Sequence, residues 1–514
     1  MGRGQRAHKN FQAPKNSFDI LASKEELLEP PALYTTPKRP QVTEDSIPLI
    51  HLITTYLSYF ILIVVGHVKD FIIKWTNPEA VKHLYPQNGL APITTGFDTF
   101  YHRNLYMRIR DSFFRTVTGV AGGRVTIYER VSEDFNKTFK SLLNLSSYNY
   151  LGFGENNGKC TDNVEAIVKE RGITTCSSRA EVGSSDLHTE TEQLVASFLG
   201  QEAAMITSMG FATNSTVIPA LIGKGSLIIS DELNHSSIVF GSRTSGATIK
   251  VFKHNDPVDL ELVLRDAISQ GQPRTHRPWK KILVVVEGLY SMEGDICKLP
   301  EIVELKEKYK FYLYLDEAHS VGAMGPNGRG ICDYYGIAPS CVDILMGTFT
   351  KSFGAAGGYI AGRKSLIDYL RLHSYSSVYA ESISVPVIKQ IYSSLRIIMG
   401  LDMGNEGRER IQKLARNSKY FADGLRKLGF IVYGNDSPIV PLLLLNPAKM
   451  PAFSREMLKR GIAVVIVGYP ATAIITSRVR FCISSAHSID DLDWALSQIS
   501  EVGDRLLLKM GSNF

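Results

Sequence analysis

Five short apolar runs recur through the middle of the chain: Ser226–Ser230, Ala247–Phe252, Ile282–Val286, Phe311–Leu315 and Ile344–Met346. Helical patterns lie between several of them, including Pro257–Ser269 and Pro300–Lys308. Near-continuous apolar strands separated by helices predict a mostly parallel sheet covered on both faces, an α/β arrangement. In such sheets ligands collect beyond the carboxyl ends of the strands, and there this chain keeps its polar residues. The α/β pattern covers residues 165–390. Over 391–514 it gives way to a smaller α+β unit: a charged helical region (Glu406–Leu428), apolar runs at Ile439–Leu445 and Ile462–Val467, a strand at Val479–Ser484 and a last helix from Ile489 to Leu508.

One strand end stands out. Asp343–Gly358 reads DILMGTFTKSFGAAGG, a short buried strand followed by hydroxyls around one lysine and then small residues. Thr348, Thr350 and Ser352 surround Lys351 with donors, and Gly354, Gly357 and Gly358 allow close approach of a ligand or a second backbone. Such a lysine suits a Schiff base to an aldehyde cofactor; the plain alternative is a solvated loop lysine. Other strand ends carry partners. DEAH (316–319) follows Phe311–Leu315, so that Asp316 can face a protonated ring nitrogen and His319 a ring oxygen, or the two form a satisfied core pair. A helicase reading of DEAH fails because no G-x-x-x-x-G-K-[ST] precedes it. SMGFATN (208–214) opens a helix whose first N–H groups, helped by Ser208, make a phosphate seat. DELNHSSI (231–238) brings His235, able to lie on an aromatic ring and move protons, and EGLYSMEGD (287–295) brings Ser291. The turn-rich, aromatic SSYNYLGFGEN (146–156) fits a loop lining a cleft or a subunit contact.

Composition narrows the partners. A formal charge of +6 on 514 residues, without a basic stripe interleaved with aromatics, gives no expectation of nucleic-acid binding. The six cysteines (160, 176, 297, 332, 341, 482) form no CxxC pair, which argues against a disulfide framework or a zinc site and fits a reducing compartment. Residues 1–46 are polar and proline-bearing and read as a flexible tail. Residues 47–68 then contain no Asp, Glu, Lys or Arg, and a membrane-spanning helix over 47–75 is expected. Pro48, His51, Thr54, Thr55, Ser58 and His67 make the block impure, and an interfacial helix is the alternative. Residues 76–164 read as a connecting segment. Within it, FYHRNLYMRIRDSF (100–113) mixes aromatics with four basic residues (His102, Arg103, Arg108 and Arg110) and is compatible with an amphipathic surface helix.

Taken in order, Ser208-Met-Gly-Phe, Asp231…His235, Tyr290-Ser-Met-Glu-Gly-Asp, Asp316-Glu-Ala-His and Gly347-Thr-Phe-Thr-Lys resemble the α-oxoamine synthases, pyridoxal-phosphate enzymes of the aspartate-aminotransferase fold (fold type I). The likeness covers about residues 146–500. Within that family GTFTKSFGAAGGY, FYHRNLYMRIRDSF and the apolar segment resemble the lysine-bearing second long-chain-base subunits of eukaryotic serine palmitoyltransferases.

The resemblance implies a role for each position. Lys351 would hold pyridoxal 5'-phosphate, release it to serine and remove the α-proton. Asp316 would keep the pyridine nitrogen protonated, and His235 would stack on the ring and assist proton transfer. Ser291 and His319 would contact the ring-oxygen side, while Ser208, Gly210, Phe211, Thr348 and Thr350 would help seat the cofactor. Arg480, in SRVRFCISSAH, would pair with the serine carboxylate, with Arg478 on the same strand face as its competitor. The implied reaction is decarboxylative condensation of L-serine with palmitoyl-CoA to 3-ketosphinganine, the first step of sphingolipid long-chain-base synthesis. It also implies a heterodimer with a related first long-chain-base subunit, small membrane regulatory subunits, and an endoplasmic reticulum membrane location with the catalytic domain facing the cytosol. The chain departs from the pattern at Pro470-Ala-Thr-Ala473, where the family usually has Pro-Ala-Thr-Pro, so the loop before Arg480 should be looser. The alternatives are another α-oxoamine synthase with a different amino acid or acyl-CoA, a non-catalytic scaffold subunit, and a membrane-tethered binding protein.

Overall fold

The computed structural model describes residues 48–92, 96–113, 115–129, 137–469 and 471–510. The tail expected over residues 1–46 lies outside them, as does Pro470.

Strands β1 (Thr116–Thr118), β2 (Arg124–Glu129) and β3 (Lys137–Asn144) form an antiparallel meander. The seven strands of the large sheet follow: β4 (Ala203–Thr207), β5 (Leu227–Asp231), β6 (Thr248–Phe252), β7 (Ile282–Glu287), β8 (Tyr312–Asp316), β9 (Ile344–Thr348) and β10 (Gly358–Gly362), in the spatial order β4-β10-β9-β8-β7-β5-β6. Strands β5 to β9 run parallel, and β10 is antiparallel to both its neighbours. The apolar runs are continuous because both faces are covered. Val284 and Val286 of β7 enter the core on one face, and Leu283 and Val285 the core on the other.

Strand β10 has no counterpart among the expected runs, since its glycines break the apolar pattern. They are there for close approach: a Cβ on Gly358 would sit 2.6 Å from Thr213 Oγ1.

The C-terminal part contributes β11 (Ile439–Leu443), β12 (Ile462–Ala463), β13 (Val465–Val467) and β14 (Arg478–Cys482). The expected single run Ile462–Val467 is divided: β12 extends the meander in parallel with β3, while β13 pairs with β14 in the sheet β11-β14-β13. A continuous apolar run does not record which sheet each half serves. Helices Glu406–Lys427, Lys449–Lys459 and Ile489–Arg505 bury their apolar faces in the core beneath these strands.

Helix α1 (Leu49–Thr76) is 28 residues long, about 42 Å at 1.5 Å per residue. One face is committed to the rest of the fold. Leu52 packs against the C-terminal core, Asn446 donates to Ser58 Oγ at 2.7 Å, and the Tyr59 hydroxyl lies 3.5 Å from Ser477 Oγ. Further along, Gly66 admits the ring of Phe100, on which His67 stacks at 4.3 Å, and Asp70 accepts both arms of Arg103 at 3.0 Å. The aromatic and basic segment at 100–113 thus forms a saddle for α1, as helix Phe97–Asn104 and two shorter turns. The opposite face of α1 presents Ile53, Leu57, Phe60, Ile61, Val64 and Val68, all exposed.

Candidate active site

The strand register sets the site out in a row. Glu287 pairs with Asp316 across β7 and β8, and Asp316 with Met346 across β8 and β9, so β7 and β8 end level and β9 runs two residues further, to Thr348. Beyond β9 the chain makes a tight turn closed by Phe349 N–H donating to Gly357 O at 3.0 Å and Ala355 N–H to Phe349 O at 3.0 Å. Gly357 has φ +94°, a conformation that L side chains rarely adopt. Phe349 and Phe353 are buried on either side of Lys351, and Ser352 Oγ bonds Val321 O at 2.8 Å. These anchors hold the lysine with its amine over the Tyr148 ring.

The amine of Lys351 makes no hydrogen bond or ion pair among the described residues. It lies 5.7 Å from the centre of the Tyr148 ring, and the guanidinium of Arg480 lies 4.8 Å from the centre of the same ring. Burial brings its pKa down to about 8, against the pull of Asp316 and Glu287 and with help from Arg480. A nucleophilic amine needs its free-base form, and this environment supplies it near neutral pH.

Asp316 is buried. Its Oδ1 accepts from Ala318 N–H at 2.9 Å and its Oδ2 from Asn214 Nδ2 at 2.8 Å, so each oxygen retains acceptor capacity toward the cleft. Asn214 ties several parts together. Its Oδ1 accepts from the Tyr314 hydroxyl at 2.6 Å, and its Nδ2 also reaches Ser237 Oγ at 3.0 Å. Ser237 Oγ in turn lies 2.7 Å from His235 Nδ1, which also accepts from Ser237 N–H at 3.2 Å. With Nδ1 engaged as an acceptor, neutral His235 carries its proton on Nε2. Burial lowers its pKa, and the charge on Lys351 adds to that. The backbone N–H of His235 donates to the buried carboxyl of Glu287. Burial and then the neighbouring Asp316 push that carboxyl well above the usual range.

His319 is buried, with Nδ1 2.9 Å from the Tyr150 hydroxyl and its ring edge-on to Tyr148 at 5.1 Å. Its pKa falls well below the ordinary value through burial and the nearby charges of Lys351 and Arg480. Helix Gly210–Leu221 starts at the end of β4, and its first N–H groups have no acceptor within the helix. A Cβ on Gly210 would stand 2.8 Å from Thr348 Oγ1, so only glycine lets this helix end meet the lysine turn. Thr348 Oγ1 bonds Gly357 O at 2.9 Å and lies 2.8 Å from Thr350 Oγ1. Ser208 and Thr350 are exposed at the rim; Phe211, also at the rim, meets His235 edge-on at 6.2 Å. Ser291 faces Arg480 through its carbonyl, which accepts from Nη1 at 3.3 Å.

The two arginines of β14 are both buried but differently occupied. Arg478 is spent on the protein: its Nη1 donates to Met292 O at 2.9 Å and pairs with Glu293 at 3.4 Å. Arg480 has no carboxylate partner among the described residues, and its buried Nε lacks any acceptor. An arginine held without an anion beside a free amine is a seat for a carboxylate.

Sequence reasoning passed over Tyr148, Tyr150, Asn214 and Glu287. The first two lie in the aromatic stretch 146–156 and Asn214 in SMGFATN, but nothing in those runs shows which side chain turns inward. Glu287 reads as part of a loop motif until the strand ladder places it beside Asp316.

The model of the aminotransferase class I and II family matches residues 140–499. The chain is 56% identical over 476 residues to serine palmitoyltransferase 2 of Schizosaccharomyces pombe, covering 91% of this chain and 79% of the relative. It is 51% identical to serine palmitoyltransferase 3 of Homo sapiens, with 90% and 86% covered, and 51% identical to long chain base biosynthesis protein 2b of Arabidopsis thaliana, with 89% and 95% covered. Among solved structures, the serine palmitoyltransferase of Sphingomonas wittichii aligns with a TM-score of 0.70 at 27% identity, over 80% of this chain and 96% of that one. The S. paucimobilis enzyme with a bound PLP–myriocin aldimine aligns at 0.68 and 28% identity, over 77% and 94%. The chain belongs to the aminotransferase class I and II family and, within it, to the serine palmitoyltransferase 2 group.

Proposed function

We propose that the chain is the catalytic, pyridoxal-phosphate-bearing subunit of a serine palmitoyltransferase, joining L-serine to palmitoyl-CoA to give 3-ketosphinganine. The observation that carries this reading is the pairing around Tyr148: the bond-free amine of Lys351 and the guanidinium of Arg480, which has no carboxylate partner among the described residues and no acceptor at Nε, on one aromatic ring. Together they suit an amino acid held by its carboxylate with its Cα beside an amine.

The donor set fits pyridoxal phosphate. A lysine with a lowered pKa, a carboxylate with open acceptor capacity, a neutral histidine and a helix start against Thr348 match its aldehyde, its ring nitrogen, its ring face and its phosphate. When bound, the cofactor supplies an electron sink for the bonds broken at serine Cα. The chain's residues do the rest. Arg480 binds the serine carboxylate, and the orphaned Nε gains its acceptor. Lys351 takes the proton from serine Cα, which its pKa of about 8 permits near neutral pH. Asp316, fixed by Asn214, would hold a proton on the cofactor's ring nitrogen. His235 presents an Nε2 proton, and His319, neutral and bonded to Tyr150, would donate to the cofactor's ring oxygen. Tyr148 covers the reacting atoms and excludes water. In the net reaction a carbon–carbon bond forms between serine Cα and the acyl carbon, the thioester breaks with release of coenzyme A, and the serine carboxyl leaves as carbon dioxide.

In protein freed of cofactor, the rate at which Lys351 combines with pyridoxal phosphate should rise through about pH 8 and level off above it. Since the charge of Asp316 holds this pKa up, the midpoint should move lower in Asp316→Asn. Stopped-flow absorbance across pH measures both; a midpoint near that of an ordinary lysine would contradict the site as described.

The same reading extends to the membrane. From Leu52 to Asp70 one face of α1 is bonded to the fold, so that face is closed to lipid while the opposite face is apolar. This supports a helix lying in the membrane interface with its free face in the acyl region, rather than the spanning helix expected from the sequence. An interfacial helix should be released by alkaline carbonate extraction, and Phe60→Glu with Val64→Glu should abolish flotation with vesicles of anionic and neutral lipid while cofactor binding persists. Resistance to carbonate would favour a span. Palmitoyl-CoA and the product both partition into lipid, and acyl-CoA and the cofactor are cytosolic, which supports a cytosol-facing domain on the endoplasmic reticulum. Exposed Met209, Phe211, Leu233 and Phe240 beside the site offer an apolar face for a related first long-chain-base subunit, with small regulatory subunits completing the assembly at the membrane.

Purified with that subunit, the protein should form 3-ketosphinganine from serine and palmitoyl-CoA. Preference for glycine would point to a different α-oxoamine synthase, and no turnover with any amino acid to a scaffold.

A further inference from the structure

We propose that His254 is a positioning residue for this site, locking the loop that carries His235 to the turn that holds Arg480. The inference rests on the reading of the site given above. His254 follows strand β6, outside every motif considered in the sequence. Its Nδ1 is hydrogen-bonded to Asp231 Oδ1 at 2.9 Å; its buried Nε2 has no hydrogen-bond partner among the described residues and faces Asp295 Oδ2 across 3.5 Å, an ion-pair distance, while the ring stands edge-on to Tyr290 at 4.4 Å.

Each carboxylate belongs to a different functional segment. Asp231 ends β5 and turns the chain toward His235, its Oδ1 accepting from Leu233 N–H at 2.9 Å and its Oδ2 from Asn255 N–H at 2.8 Å. Asp295 closes the turn 290–295, where its carbonyl accepts from Tyr290 N–H at 3.0 Å. That turn presents Ser291 O and Met292 Sδ to Arg480, and Met292 O and Glu293 to Arg478. A single imidazole therefore joins the histidine expected against the cofactor ring to the arginine expected at the serine carboxylate.

The bridge needs the charged form. Burial opposes that charge, but the two carboxylates outweigh it and push the His254 pKa up to about 10. The other charged groups around it are Glu293 and Glu232, whose Oε1 accepts from His254 N–H at 2.9 Å. A glutamine at this position keeps a polar side chain of similar reach, yet carries no positive charge to hold between the two carboxylates.

The test uses the full chain with its partner subunit and compares wild type, His254→Gln and Asp295→Asn. The readouts are cofactor absorbance, cofactor circular dichroism, kcat and the KM for serine. With the brace acting as proposed, both variants bind cofactor in full, lose part of its induced circular dichroism, and show a serine KM raised about tenfold with a lower kcat. Loss of thermal stability with KM, kcat per bound cofactor and circular dichroism unchanged would overturn the proposal, leaving His254 as packing alone. If His254→Gln does not fold, Asp295→Asn decides, because it removes only the link to the turn. A wild type without a cofactor band would instead defeat the functional reading, a result the variants cannot mimic.

Discussion

Lys351→Ala should abolish formation of 3-ketosphinganine, lowering turnover by roughly 10³-fold or more, because proton transfer by a positioned base is itself worth about 10²–10⁴. The loss has two parts. The alanine removes the nucleophile that anchors the cofactor, and it removes the base at serine Cα. The fold should survive, since the turn is held by Phe349, Phe353 and the Ser352–Val321 bond, none of which uses the amine. Added primary amines should restore a small fraction of the rate by replacing the base alone. Assays with radiolabelled serine on protein purified with the proposed partner subunit would check this, and retention of more than a tenth of the activity would contradict the role given to Lys351.

Arg480→Ala should act mainly on serine. Breaking a buried charge pair costs about 3–5 kcal/mol, because the partner is left desolvated, so the KM for serine should rise by about 10²–10⁴-fold. Palmitoyl-CoA binding should change little. Arg480→Lys should recover only part of the loss, since an ammonium cannot offer the fork of two parallel donors that matches a carboxylate. Arg478 should behave differently. It is already paired with Glu293 and bonded to Met292 O, so Arg478→Lys should show its effect as a lowered Tm. Equal effects of the two substitutions on serine KM would contradict the assignment of Arg480 as the carboxylate seat.

Much of this was legible in the sequence, for physical reasons. Parallel strands buried on both faces must be apolar throughout, so β5, β7, β8 and β9 announce themselves, and the polar residues directly after them mark the cleft. Lys351 is legible because small residues and hydroxyls gather around it. Strand β10 was hidden because its glycines, needed for contact with Thr213 and the lysine turn, dilute the apolar pattern. The roles of Glu287, Asn214 and His254 were hidden for another reason. Each acts through partners far away in the chain: Asn214 reaches Asp316 over 102 positions, and His254 joins two loops that only the sheet order brings together. The contacts of α1 were not legible either. Its apolar content is the same whether it spans or floats, and the contacts of Ser58 and Tyr59 with the C-terminal part, of Gly66 with Phe100 and of Asp70 with Arg103 are what show that one face is taken.

The most direct test is an absorption spectrum of the protein, purified with the proposed partner subunit, before and after adding L-serine, with Lys351→Ala alongside. The account predicts a near-visible band of cofactor bound through Lys351, which shifts when serine is added. In Lys351→Ala the band of lysine-bound cofactor is absent. No such band in the wild type, with pyridoxal phosphate and the partner subunit both supplied, would contradict the catalytic reading and leave a scaffold in its place.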